Sequence, residues 1–315
     1  MATSGSVDFS VSRNDIIKGA LRLCLAVAQG EEPEADEVVE ASQALNMMAK
    51  ELQADGLKLW KIDEGAVFMA ADTSSYSLGP TGDHATLSYV TTNLAADVAA
   101  SGTSLTVDSI TGISASDNIG IELDDGTLHW DTVDGTPSGT AVALTTGVAS
   151  AAADGNRLFT YTTKIVRPIR IMDARLKINA GHEIPFTEWM SRDEYYDLPL
   201  KTSDGSPLQG YYDPQLVNGV LHIWPQAENV RDVVLFTFAR EIEDFDAASD
   251  TPDFPPEWMA ALKFGLAVEI GPEYDVPLDR LAWLARERDR KFDFLDGADS
   301  EEASIHFEPE TGEHR

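Results

Sequence analysis

Cysteine is almost missing from this chain of 315 residues, with Cys24 as the single one. No internal disulfide can form, which suits assembly in a reducing cytoplasm, and Cys24 reads as a small apolar residue within a helix. Long apolar runs are missing too. The nearest, Leu21 to Ala28, falls well short of the ~18 residues a membrane span needs, so no membrane partner is expected. The opening MATSGSVDFSVSRND lacks the basic start and apolar stretch of a secretory signal. Basic residues are scarce: 23 Lys and Arg stand against 54 Asp and Glu, a net charge of −31, with none between Lys61 and Arg157. That balance argues against binding DNA by neutralising its phosphates. It suits a surface that repels DNA, a solubilising surface or a salt-adapted host.

The usual signatures of catalysis are also lacking. There is no glycine-rich phosphate loop, nucleophile elbow or zinc-ligand spacing, and the six histidines are scattered without a pair at ligand spacing. No metal, cofactor or catalytic residue is therefore assigned, and the chain is not expected to be an enzyme. Paired carboxylates remain, but among 54 acids a pair decides nothing. A glycosidase needs two of them about 5 to 9 Å apart in a cleft, which sequence does not reveal.

What is present is a chain that can fold. The apolar share of 43% supports real cores, and the length suggests about two domains. Residues 1–12 read as an arm. Ser12 and Asp15 have capping-box spacing ahead of a helix with Ile16, Ala20, Leu23 and Val27 on one face. Pro33 suits the first turn of a second helix whose seam is Val38, Ala41, Leu45, Met48 and Leu52, stopped at Gly56. From Gly65 the period changes to two, predicting strands at 66–70 and 76–78.

Between 84 and 160 the chain is rich in Thr, Ser, Gly and Ala. Short strands are predicted at 105–107, 119–123, 128–133 and 141–144, separated by turns such as Asp124-Asp125-Gly126. This reads as a small inserted all-β unit whose aspartates bond their own turns, since calcium-loop spacing is missing. Further strands are expected at 171–178, 182–186 and 233–238. An acidic stretch without a base follows, from Glu241 to Glu257, as a solvated loop. Trp258, Leu262 and Leu266 mark one side of a helix ended by Gly271-Pro272. A last helix presents Leu278, Leu281, Ala285, Phe292 and Leu295 on one face, with Arg280, Arg286, Arg288 and Arg290 clustered along it.

The densest stretch, Thr187 to Gln226, holds two double tyrosines and two tryptophans. Taken alone it fits a sugar platform with Glu188, Glu194 and Asp213 as acids. Set between helical ends, Tyr195, Tyr196, Tyr211, Tyr212 and Trp224 fit better as packing and interface residues of a subunit.

The fold class expected is α+β. A helical bundle (13–64 and 255–297) is joined to a mainly antiparallel β-domain (65–83 and 161–254) carrying an inserted all-β domain (84–160), with an acidic tail at 298–315. LNMMAKELQADGLKLWKIDEGAVFMAADTSSYSLGP, RPIRIMDARL, DEYYDLPLKTSDGSPLQGYYDPQ, GVLHIWPQ and DFPPEWMAALKFGLAVEIGPEYDVP occur in this order. In that order the chain resembles the head-to-tail adaptors of short-tailed bacteriophages, the family of tail tubular protein A, tail accessory factors and packaged-DNA stabilisation proteins. The likeness spans most of residues 13–297, although the 84–160 insertion is not part of the minimal family pattern.

The resemblance implies a virion protein of the head–tail junction, assembled in the host cytoplasm as a homo-oligomeric, dodecameric ring. Its partners would be the portal protein, the tail nozzle protein and tail fibres, with DNA passing through the channel and not specifically bound. Trp258, Arg286 and Arg290 then join the interface candidates, and Ile305 and Phe307 become an apolar hook for the portal. The rival is a receptor- or glycan-binding tail protein, a depolymerase being one form of it.

Overall fold

A computed structural model describes Gly5 and residues 9–54, 59–179 and 181–298, and shows a mixed α+β chain. Among these residues are α1 (Arg13–Leu23), α2 (Ala35–Ala54), α3 (Arg192–Asp197), α4 (Met259–Ile270) and α5 (Leu278–Ala298). The chain divides into two compact units, one of residues 1–61 with 242–315 and the other of residues 62–241.

In the first unit both chain ends contribute to one apolar core. α1 begins in a capping box: the Asp15 amide donates to Ser12 Oγ, and the Ser12 amide donates to Asp15 Oδ2. The helix ends at Leu23, before the expected Val27, because Leu25 turns left-handed at φ 64° and the Ala26 amide reaches back to Leu21 O. Val27 is buried all the same, beyond the helix. α2 buries Ala41, Leu45 and Met48 of its expected seam, while Gly56 lies outside the described residues.

α4 is apolar on nearly every side because it packs against α1, α2 and α5. Gly265 permits the close approach to α2: a Cβ there would stand 2.6 Å from Met48 Sδ. α5 departs from the expected face. Leu278 is exposed, and Leu284 takes the fully buried position, with Leu295 also buried and Leu281 and Phe292 partly so. The acidic stretch departs more. Ile242, Phe245 and Phe254 are buried with Trp258, and the Trp60 and Phe254 rings lie 5.1 Å apart. The stretch 242–254 therefore belongs to the helical unit, not to the β-domain expected to extend over 161–254. Every few residues an apolar side chain anchors it while Glu243, Asp244 and Asp246 stay exposed and Asp250 and Asp253 accept from its own backbone.

The second unit is built on a five-stranded antiparallel sheet in the order Glu183–Pro185, Arg170–Lys177, Val233–Ala239, Ile62–Phe68, Ala85–Thr86. Alternation in the central strand decides its neighbours. Val234, Phe236 and Phe238 face a core shared with the second sheet, of Ser75–Leu78, Gly219–Trp224, Gln209–Asp213 and Glu188–Trp189. Val233 and Leu235 face the other way and meet Phe68, Phe159 and Tyr161.

Residues 90–161 contribute the partner on that far face. They form a four-stranded antiparallel sheet and a two-stranded one around their own core of Leu105, Ile119, Ile121, Val142 and Leu158. Asp125 accepts from Thr127 within its own turn, as expected, but Asp131 sits on a strand and accepts from the Thr146 and Gly147 amides, and Asp124 accepts from Ala153, so these two tie together segments distant in the chain.

Candidate functional site

The aromatic stretch resolves into a small platform on one sheet. Ser191 caps α3 with Glu194 in a second capping box, and hydrogen bonds from Ser191 hold the Glu194 carboxyl below its ordinary pKa. α3 drops Tyr195 onto the sheet, where strand register sets Tyr211 opposite His222. The three rings stack: Tyr211 and His222 at 5.6 Å and 3°, Tyr195 and His222 at 4.6 Å, Tyr195 and Tyr211 at 5.9 Å. Burial lowers the His222 pKa, partly opposed by Asp213, and its Nδ1 shares a 2.7 Å hydrogen bond with Ser75 Oγ. Tyr212, one residue along, points to the opposite face and donates its hydroxyl to Pro168 O within the core.

Of the candidates, Tyr195, Tyr211, Tyr212 and Trp258 are buried within this chain. They serve packing and are not surfaces available to a partner. Trp224 is half-buried with its indole N–H on Leu200 O, 3.0 Å away. Tyr196 is the exposed ring at 55%. Cations attend the Tyr196 ring: Arg192 and Lys201 each lie 5.9 Å from its centroid. A sugar platform needs an open ring face. The acids of that reading also have structural partners, Glu188 with Gln209, Glu194 at its cap and Asp213 with Arg192 at 3.1 Å.

In the helical unit Arg286 and Arg290 are exposed on α5, Arg290 paired with Glu287 at 2.6 Å. Trp283 and Phe294, the latter 76% exposed, flank them on the same helix. Positions 283, 286, 290 and 294 recur every three or four residues, so this is one stripe. Arg280 is engaged elsewhere, donating to Leu23 O at the end of α1. Ile305 and Phe307 lie outside the described residues.

Sequence reasoning missed a second aromatic cluster. Phe68 is surrounded by Tyr89, Trp130, Phe159 and Tyr161, all within 5.7 Å or less by ring centroid. His84 lies flat on Trp130 at 3.7 Å and 2°, its Nδ1 2.7 Å from Tyr161 Oη. These residues join the 90–161 sheets to the five-stranded sheet. Nothing in the spacing of His84, Trp130 and Tyr161 announces the contact, because a bend at His84 and two separate strands supply it. Among the described residues no group of three or more His, Cys, Asp or Glu is placed to hold a metal, and no helix is long and apolar enough to cross a membrane.

No protein-family model matches the chain, and neither does any curated protein. Among solved structures, part of it is similar to the Gp54 tailspike of Acinetobacter baumannii bacteriophage AP22, determined in complex with A. baumannii capsular saccharide. Identity is 16% and the TM-score 0.22, over 25% of this chain and 16% of that one. A likeness so local speaks to neither the fold nor the function of the whole chain.

Proposed function

We propose that this chain is a structural subunit of a ring that joins a portal to a tail, extending the channel through which DNA leaves a capsid. The observation that carries the reading is the outer stripe of α5. Trp283 and Phe294 stand exposed beside Arg286 and Arg290 on a chain with a net charge of −31. An exposed apolar stripe calls for a protein neighbour, and its arginines suit one that is acidic, as another copy of this chain would be. The resemblance in motif order between residues 13 and 297 points the same way. A portal, a nozzle and fibres are the partners that reading implies. In such a ring every copy adds −31, a field that leaves DNA mobile in the channel. The 84–160 segment would face outward or toward distal tail proteins.

The test is the mass of the purified protein, alone and mixed with the portal of the same virus. A discrete portal-bound assembly with a fixed copy number is expected, and Trp283→Ala with Phe294→Ala should abolish it while leaving the fold intact. Saturable binding or cleavage of a capsular polysaccharide, without portal association, would replace the adaptor by the receptor-binding reading.

A further inference from the structure

A cleft of about 400 Å³ opens between the five-stranded sheet and the 90–161 segment. Its apolar floor is Val233 and Leu235 of the central strand with Phe159, and Leu87 stands at its exposed rim. Arg157, Lys177 and Arg231 line it against Glu64 and Glu183, a positive balance on a chain where acids outnumber bases 54 to 23. Arg175 holds both of those carboxylates, and Glu122 pairs with Arg231 at 2.6 Å. Arg157 and Lys177 carry no ion pair among the described residues. Arg157 lies over the Phe159 ring with a buried Nε that has no hydrogen-bond partner, and Lys177 lies over the Tyr89 ring. Glu122 accepts from the Arg157 amide and Glu183 lies across the strand pair from Lys177, but neither cationic head group is ion-paired, and in a partly dry cleft that points to a counter-ion from outside the molecule.

The helical unit displays a matching feature. Its 243–253 loop is fixed by reciprocal bonds between Asn46 and the Phe245 backbone, and by Asp250 accepting from the Asp246 and Ala247 amides. Asp244 is spent on Lys50, and Arg13 donates to the Asp246 carbonyl, but the exposed carboxylates of Glu243 and Asp246 make no ion pair among the described residues. A rigid loop loses little entropy on docking.

We infer that the cleft receives Glu243 and Asp246 of a second copy of this chain, Lys177 and Arg157 pairing with them. The pairing joins two different patches of one chain, so it is head-to-tail, the kind of contact that closes into a ring. This rests on the ring reading above, and the experiment separates the two. Full-length protein, half of it isotope-labelled, is assembled on the portal and treated with a carbodiimide, which couples touching amines and carboxylates without a spacer. Mixed-isotope peptides joining Lys177 to Glu243 or Asp246 are expected. Lys177→Gln and Glu243→Gln should each weaken assembly about fivefold, and the double variant no more than either alone. Arg157→Gln should act in the same direction, and unchanged melting temperatures would show that the variants fold. A complete portal-bound ring in which Lys177 couples only to other acids, or in which the two losses simply multiply, overturns the cleft contact and leaves the adaptor reading standing. A chain that never associates with itself or with portal overturns both.

Discussion

Acid should loosen the junction between the 90–161 segment and the five-stranded sheet, and His84 is where it should act. Burial, helped by nearby Lys164, lowers the His84 pKa from 6.5 to about 4. The folded protein therefore binds fewer protons than the unfolded chain across that interval, so stability is full above pH 6.5 and is lost as pH falls toward 4. From pH 7 to pH 5 the two pKa values give about 2 kcal/mol, and residual solvent exposure of the ring reduces this to about 1 kcal/mol. His84 stacks on Trp130 and bonds Tyr161, so the loss should register first at the junction. Urea titrations followed by tryptophan emission at pH 7 and pH 5 measure it. Acid also relieves repulsion among the carboxylates, so the informative quantity is the difference between the native chain and His84→Gln. The variant should lose about 1 kcal/mol less than the native chain over the same interval. Equal losses in the two proteins would refute the assignment to His84.

The other predictions concern packing. Tyr195→Ala should cost about 3 kcal/mol or more by emptying a buried ring site, whereas Tyr196→Ala, at an exposed ring, should change stability by about 0.5 kcal/mol or less; paired denaturant curves compare them. Gly120→Ala would set a Cβ 2.8 Å from the Trp130 ring. It should cost about 1–3 kcal/mol and disturb Trp130 emission. Ser12→Ala removes the α1 cap and should lower stability by about 1 kcal/mol, visible as a drop in melting temperature.

Much of the local structure was legible in the residues themselves. The capping spacing at Ser12, the helical seam of Ala41, Leu45 and Met48, and the apolar run of Val233 to Phe238 are local patterns, and local hydrogen bonding and side-chain character dictate the elements they form, whereas the cap at Ser191 and its short helix went unread. The turn aspartate Asp125 was readable for the same reason, whereas the distant amides that Asp131 and Asp124 hold were not. What tertiary structure alone decided is which surfaces those elements spend on each other. It buried Tyr195, Tyr211 and Tyr212, left Tyr196 outside, and brought Leu284 inward in place of Leu278. It also drew the acidic 242–254 stretch into the helical core through Ile242, Phe245 and Phe254. Tertiary structure likewise gathered His84, Trp130 and Tyr161 from a bend and two separate strands, and set Arg157 and Lys177 along one cleft with no ion pair to either side chain among the described residues. Burial and charge pairing depend on neighbours distant in the chain, and no local period encodes which distant residue a side chain will meet.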